Sequence, residues 1–374
     1  MRLNKVKLPF SAKRAVLALG SETKNIICFV SGGHAYLSPA HQDLSKHKDY
    51  LDFQRDARIL LLKKPKIIAF DLHPEYFSSK YALSLPEAKY KLSAVQHHHA
   101  HIAACMIENG LSNQKVIGVS FDGTGAGDDN TLWGAEFLVC DYKQYIRKAY
   151  LYQAPLLGGE KAISEPWRVA AIWLYLIYKD KFLDFNIKWI RQIRKLRWPV
   201  LKQMYYSGFN CPKASSMGRL FDAAASIILG KDKIGFEAEL AIELEKVAVS
   251  GLPMGAKPYP FKIIKHKDRY IIDPKPIFRE IIRDLGNRIP KEKIAYKFHL
   301  AVAEIARKTC LILHKETGIE RIVLSGGVFQ NKLLLNLASG LLYKEGFKVF
   351  THQKLSCSDA SIALGQAAVG IYRS

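Results

Sequence analysis

Short apolar runs alternate with stretches of helical periodicity along most of this chain. Residues 15–37 (AVLALGSETKNIICFVSGGHAYL) read as short strands broken at Gly20 and at Gly32-Gly33, a hairpin pattern. Residues 50–62 repeat their apolar positions at helical spacing. Residues 66–71 (KIIAFD) form an apolar run of buried-strand type that ends in the polar cluster Asp71-Leu72-His73-Pro74. A helix, a strand over 92–96 and a second helix from His97 to the stop signal Asn109-Gly110 follow. The pattern then restarts. Residues 115–121 (KVIGVSF) predict a strand, 122–129 (DGTGAGDD) a glycine–aspartate turn, and 131–139 a return strand. Residues 160–310 are mostly helical in pattern, with a polar, proline-containing interval over 251–276. A buried strand at 321–324, the turn Ser325-Gly326-Gly327, a helix over 331–343 and an Ala/Gly-rich helix over 359–372 complete the chain. Alternation of this kind predicts an α/β fold. Two lobes that each open on a hairpin would leave a cleft between them.

Composition changes this picture little. At 374 residues, with 49% hydrophobic and 24% charged positions, the chain can bury a large core over two or three lobes. The apolar run over 169–178 is too short to span a bilayer, and the basic N-terminus leads into no signal-peptide segment. Six scattered cysteines without a CxxC pair argue against a disulfide scaffold or zinc ribbon, so a cytoplasmic location is expected. The net charge of +22 is unusual. It fits either an anionic partner such as nucleic acid or a lysine-rich solvated surface. Residues 179–202 carry eight of the basic residues and two acidic ones. Phe182, Ile187, Trp189, Ile190, Ile193 and Leu196 recur there at helical spacing, which predicts a core-facing helix with a basic outer face.

Candidate chemistry concentrates in two places. His97 and His101 in VQHHHAH are four apart, so a helix puts both on one face, where they can grip one ion. The spacing alone leaves open a pair of surface histidines. The residue after His97 is not the glutamate that a zinc-protease base requires. His98 and His99 point elsewhere on such a helix. Asp122 ends a buried strand at a glycine turn, where it serves either as a ligand or as a cap of its own backbone. Gly123, Thr124 and Gly125, and again Ser325, Gly326 and Gly327, offer backbone N–H groups to phosphate oxygens without a Cβ in the way.

In these segments the chain resembles the C-terminal transferase region of the HypF carbamoyltransferases of nickel–iron hydrogenase maturation, and less closely the TsaD proteins that modify tRNA. The matching stretches keep family order: 18–29 (ALGSETKNIICF), 71–76 (DLHPEY), 95–102 (VQHHHAHI), 122–137 (DGTGAGDDNTLWGAEF) and 165–168 (EPWR). They continue with 215–223 (SSMGRLFDA), 241–245 (AIELE), 324–331 (LSGGVFQN) and 364–367 (LGQA). The resemblance implies a two-lobed actin/Hsp70/sugar-kinase fold with ribonuclease-H-like lobes, over 1–114 and 115–374, and a helical insertion at about 160–310. It implies one divalent metal ion, iron or zinc, both of which accept two histidines and two aspartates, held by His97, His101, Asp122 and Asp359. An adenine nucleotide, ATP or AMP, would lie against Gly123 to Gly125 and Gly326-Gly327, with ribose-side contacts near Gly218, Asp222 and Asn331.

The implied reaction takes the carbamoyl group of carbamoyl-adenylate to the C-terminal cysteine thiol of a HypE-like protein. The family's acylphosphatase, zinc-finger and YrdC-like domains have no counterpart in these residues, so a separate YrdC-like protein is expected to make the donor. Alternatives are an O-carbamoyl transfer to a small molecule, as in TobZ, a TsaD-like role on tRNA, and a nucleotide-binding scaffold without activity. The sequence departs from the family at Ser358-Asp359-Ala360-Ser361, where Asn-Asp-Gly-Gly is usual, and at Glu237-Ala238-Glu239, where Glu-Gly-Gln is usual.

Overall fold

A computed structural model describes residues 3–193, 197–250 and 255–374. The chain opens with two long antiparallel strands, β1 (Asn4–Ala18) and β2 (Cys28–Leu37). β2 runs unbroken through Gly32-Gly33, where a strand break was expected. The irregularity lies opposite, where β1 bulges between Lys7 and Val16 against Gly32 at φ +57°. After α1 (His47–Leu61) comes β3 (Ile67–Asp71), buried along its whole length. Next are α2 (Phe77–Leu83), β4 (Lys91–Val95) and α3 (His97–Glu108). The four strands form one sheet in the order β2-β1-β3-β4.

A second, nine-stranded sheet starts with β5 (Val116–Ala126) and β6 (Leu132–Cys140). The sequence predicts a turn over 122–129; the strand in fact continues to Ala126. Asp122, Gly123 and Thr124 form a bulge within it, between the pairs Phe121–Ala135 and Gly125–Trp133. The chain reverses only at residues 127–131, where Gly127 N–H bonds the Thr131 carbonyl at 2.9 Å. A bulge bends a strand and re-aims its side chains, which turns Asp122 toward the first sheet's helix α3. Then come β7 (Tyr145–Leu151), β8 (Ala154–Pro155), α4 (Lys161–Ser164) and α5 (Trp167–Tyr178). The basic stretch that follows is not one helix. It divides into a 3-10 turn over Lys179–Asp184, α6 (Lys188–Ile193) and α7 (Trp198–Ser207). Phe182, Ile187, Trp189, Ile190 and Ile193 are buried as their spacing predicts, and Leu196 lies outside the described residues.

Strand β9 (Lys213–Ser216) leads into α8 (Met217–Leu229), capped by the Ser216 side chain, and α9 (Glu239–Ser250) follows. The polar interval expected at 251–276, of which 251–254 lie outside the described residues, holds a hairpin of β10 (Lys262–His266) and β11 (Arg269–Asp273). Helices α10 (Lys275–Gly286) and α11 (Lys291–Thr317) come next, then β12 (Arg321–Ser325), α12 (Lys332–Lys344), β13 (Lys348–Phe350) and α13 (Ile362–Tyr372). The strand order is β10-β11-β7-β6-β5-β12-β13, with β9 attached to β6 and β8.

Two sheets of mixed direction with helices on their faces match the α/β architecture expected from the sequence. The layer between them is built by α3 and α13, whose buried residues share one apolar cluster with β1, β3 and Val116 of β5. Both helices depend on small residues there. A Cβ on Gly365 of α13 would lie 1.9 Å from the Ala100 carbonyl oxygen of α3, and one on Gly118 of β5 would lie 2.2 Å from the Ile102 side chain. The helix bearing the two histidines is therefore clamped between β5 and α13. No helix among the described residues is long and apolar enough to cross a membrane.

Candidate active site and metal centre

The site forms where α3 begins. Gln96 caps the helix, its side-chain oxygen accepting from His99 N–H at 2.9 Å. This sets the rotation of the first turn, so that His97 and His101 face the bulge in β5 and the 3-10 turn Asp359–Ser361 ahead of α13. One ligand atom each from His97, His101, Asp122 and Asp359 falls within 4.8 Å of all the others. His101 Nε2 is 2.9 Å from Asp122 Oδ2 and 3.5 Å from Asp359 Oδ1, and His97 Nε2 is 3.4 and 3.7 Å from the same two oxygens.

Two of the ligand candidates, Asp122 and His97, are oriented by neighbours. Asp122 Oδ1 accepts from Gly123 N–H at 2.8 Å and Gly327 N–H at 3.2 Å, which leaves Oδ2 for the histidines. His97 Nδ1 bonds Asp71 Oδ2 at 2.8 Å, while its buried Nε2 has no hydrogen-bond partner. Because Nδ1 is paired with Asp71, the neutral ring would present its Nε2 lone pair to the cluster, the arrangement found around metal-bound histidines. Burial opposes a charge on His97, yet Asp71, Asp359 and Asp122 outweigh it and lift the ring well above its ordinary pKa. Asp122 responds in the opposite sense. Burial raises it, but His101 and His97 prevail and hold it well below the usual carboxylate range. Three buried or half-buried carboxylates around two imidazoles call for a cation, and two nitrogen and two oxygen donors form a set suited to a divalent one.

The other two histidines lie outside the four-donor cluster. His98 Nδ1 accepts from Gln96 Nε2 at 3.0 Å, and burial lowers the ring pKa far enough to keep it neutral. His99 Nε2 donates to the Asp141 carbonyl at 2.6 Å, with burial lowering its pKa to about 4.

Asp71 has no role in the sequence reading, although it closes a buried strand and opens DLHPEY. It is fully buried, and its other oxygen accepts from His73 N–H at 2.9 Å. The D71N variant is expected to bind a divalent ion about 10- to 100-fold more weakly than wild type, the usual cost of removing a carboxylate behind a ligating histidine. Zinc titration against a chelator would measure this, and equal affinities would remove Asp71 from the site.

The cluster lies at the wall of a cleft of about 1350 Å3. Of the residues expected to meet a nucleotide, Gly123, Thr124, Gly218, Asp222, Gly327 and Asn331 line it. Gly125 and Gly326 stand behind the wall. A Cβ on Gly125 would come within 2.9 Å of His97 and His98, and one on Gly326, at φ +100°, within 2.3 Å of the Phe121 carbonyl oxygen. Their lack of a side chain thus makes room for the start of α3 and for the chain leaving β12 to pass close against β5. Asp222 is buried, 2.9 Å from Arg219 Nη2; burial pushes its carboxyl up against the pull of Arg219. Asn331 caps α12, accepting from Leu334 N–H at 2.8 Å, and its amide donates to His299 Nε2 at 3.0 Å. Burial lowers the His299 pKa to about 4, so the ring stays neutral and can accept that bond. Ala238, where the resemblance has glycine, lines the cleft in the left-handed region at φ +63°, a conformation glycine adopts without strain. In the altered loop, Ser358 N–H bonds Ser356 Oγ at 3.2 Å, and Ser361 Oγ bonds the Ser358 carbonyl at 3.2 Å. Serine side chains stitch the segment that holds Asp359 toward the histidines.

Comparison with known proteins follows the same lines. A family profile described as "Carbamoyltransferase, Kae1-like Domain, second subdomain" matches residues 118–366, and one described as "HypF Kae1-like domain" matches 11–108. The carbamoyltransferase HypF of Synechocystis sp. is 33% identical over 379 residues, which cover 96% of this chain and 48% of that protein. A carbamoyltransferase HypF homolog of Cupriavidus necator is 32% identical over 369 residues, 97% of this chain and 93% of its own length. A crystal structure of full-length HypF in the phosphate- and nucleotide-bound form aligns with a TM-score of 0.90 at 36% identity, over 98% of this chain and 47% of that one. The chain thus spans about half the length of full-length HypF and nearly all of the Cupriavidus homolog. It belongs to the HypF carbamoyltransferase family and carries that family's Kae1-like domain.

Proposed function

We propose that this chain catalyses transfer of a carbamoyl group from carbamoyl-adenylate to the C-terminal cysteine thiol of a HypE-like protein in hydrogenase maturation. The observation that carries the proposal is the four-donor cluster of His97, His101, Asp122 and Asp359, whose two aspartates line a cleft edged by Gly123 and Gly327. A full-length HypF relative is known in a phosphate- and nucleotide-bound form, which supports a nucleotide in this reading; we assign an adenine nucleotide to the cleft. The reading includes a cytoplasmic location, with which six free thiols accord.

In this reading the four side chains would hold iron or zinc, and the bound ion would supply Lewis-acid polarisation of a carbonyl or phosphate oxygen. Asp71 would keep the His97 lone pair on the ion. Gly123 and Gly327, lacking side chains, would let the AMP phosphate approach the backbone. A new S–C bond would form at the carbamoyl carbon as the C–O bond to phosphate breaks. The electron pair would leave on AMP and the thiol proton would go to solvent. All six cysteines of this chain are dispensable for that step. Burial raises the Cys357 thiol, the one next to the cluster, to about 11, with Asp122 adding to the effect, so it is a poor nucleophile at neutral pH.

The test combines the purified 374-residue chain, carbamoyl phosphate, ATP and a HypE-like acceptor, with and without a YrdC-like donor-forming protein. A carbamoyl mass increment on the acceptor's C-terminal peptide is expected only when the YrdC-like protein is present. Transfer that proceeds equally well without it would contradict the proposed division of labour. An increment that appears on a small-molecule hydroxyl instead would redirect the acceptor assignment.

A further inference from the structure

Helix α3 carries His97 and His101 in its first two turns and ends on Glu108. A carboxylate at a helix C-terminus faces the negative end of the helix dipole, which ordinarily disfavours it. Glu108 is held there by four donors from one distant segment. Its Oε1 accepts from the N–H groups of Gln353 at 2.9 Å, of Lys354, and of Leu355 at 2.9 Å, while its Oε2 is 2.7 Å from His352 Nδ1. Burial works against ionisation, but His352 and the three backbone donors outweigh it and take the carboxyl down to about 2. The neighbouring Asn109 adds a further tie, its amide donating to the Thr351 carbonyl at 3.0 Å.

The far side of His352 extends the chain of contacts. Its Nε2 lies 3.0 Å from Ser325 Oγ, and Ser325 is the last residue of β12, directly before Gly326-Gly327. From residue 355 the pinned segment runs on to Cys357, whose carbonyl accepts from Gly326 N–H at 3.2 Å, and then to Asp359. The side chains of Glu108 and His352 are 6% and 4% exposed, and Ser325 is fully buried. The Ser–His–Glu order has the form of a hydrolytic triad. Sealed from the cleft, however, the Ser325 hydroxyl meets no substrate, so the three residues do not act as a nucleophile with its base.

We infer that Glu108 is a positioning residue. Through residues 351–355 it fixes Asp359 at the correct distance from His97 and His101, and through His352 and Ser325 it fixes the Gly326-Gly327 turn that bonds Asp122. One helix thus supplies two ligand candidates at one end and, at the other, sets the third and fourth. The inference rests on the metal reading proposed above, because positioning Asp359 matters only if it ligates.

The test uses Co2+ as the probe with wild type, E108A and E108Q. E108A removes the acceptor for three backbone N–H groups, and E108Q keeps one neutral oxygen in place. The expected result is a Co2+ dissociation constant about tenfold or more weaker in E108A and an intermediate value in E108Q. The visible d–d band should shift in E108A, and amide hydrogen exchange should accelerate over residues 351–359. Wild type and E108A binding Co2+ within twofold, with the same band and the same exchange, would overturn the inference. If E108A does not fold, E108Q carries the same comparison. If wild type itself binds no Co2+, the metal reading fails by its own measurement. The clamp then stands or falls on whether exchange over 351–359 differs between wild type and E108Q.

Discussion

Replacing His97 with alanine is expected to abolish binding of one divalent ion and to slow carbamoyl transfer by about a thousandfold or more, while an adenine nucleotide still binds. The magnitude follows from the role proposed for the ion. Stabilising charge on a carbonyl or phosphoryl oxygen is worth several kcal/mol, and about 4 kcal/mol corresponds to roughly a thousandfold in rate. The nucleotide should survive because Gly123, Gly218, Asp222 and Asn331 line the cleft independently of α3. A second effect has to be separated from the first. The substitution leaves Asp71, fully buried, without the ring 2.8 Å away that pairs with it, and an orphaned buried carboxylate destabilises a fold. The double variant D71N/H97A removes that carboxylate charge. It should recover stability in thermal melts but neither the metal nor the activity. Recovery of transfer along with stability would show that His97 acts through folding rather than as a ligand. Elemental analysis of the purified proteins and a nucleotide titration complete the measurement.

The G365A variant is expected to lose about 3 kcal/mol of stability or more, at the upper end of what overpacking a core costs. The added methyl would sit 1.9 Å from the Ala100 carbonyl oxygen and 2.7 Å from its carbon, both backbone atoms that no rotamer change can move. Relief requires α13 and α3 to separate, and Ala100 lies between His97 and His101. Metal affinity should therefore fall in whatever fraction folds. Two other glycines calibrate the effect. At Gly118 the nearest atoms belong to the Ile102 side chain rather than to backbone, so G118A should cost less than G365A. A methyl added at Gly340 in α12 would meet nothing within 4 Å, and alanine there should stabilise the helix by up to about 1 kcal/mol. Urea melts of the three variants would rank them. A G365A protein as stable as wild type would mean that the two helices do not pack as closely as described.

Features set by neighbours in the chain were legible in the sequence. The His97–His101 pair follows from the helical repeat, and β3, β4, β12 and α12 could be read from apolar runs and their stop signals. Features set by distant parts were not. Asp359 entered only through family resemblance, because nothing in its own surroundings marks a ligand. Asp71 and Glu108 act through contacts that form only once the sheets and α3 have packed. The bulge at Asp122–Thr124 reads as a turn in the sequence because glycine and aspartate signal both, and only pairing with β6 distinguishes them. The β10–β11 hairpin escaped because β10, at the sheet edge, is exposed along most of its length and lacks the alternation that marks a half-buried strand. The basic stretch over 179–202 kept its apolar spacing but broke into three pieces, which spacing cannot reveal.

The packing of α13 has a consequence for the order in which the molecule can be made. Gln366 bonds the Gly20 backbone twice, accepting from its N–H at 2.9 Å and donating to its carbonyl at 3.2 Å. The same helix covers β1 and β3 within one apolar cluster. On the ribosome, the first sheet, complete at Val95, therefore emerges with an uncovered apolar face and waits for more than two hundred and sixty further residues before its cover, beginning at Ile362, is available. At roughly 5–20 residues per second that interval lasts tens of seconds, long enough for an exposed sheet to need protection from aggregation. The histidines of α3 take their final places only at the end of that wait, so the metal would be acquired as one of the last events in the maturation of this chain.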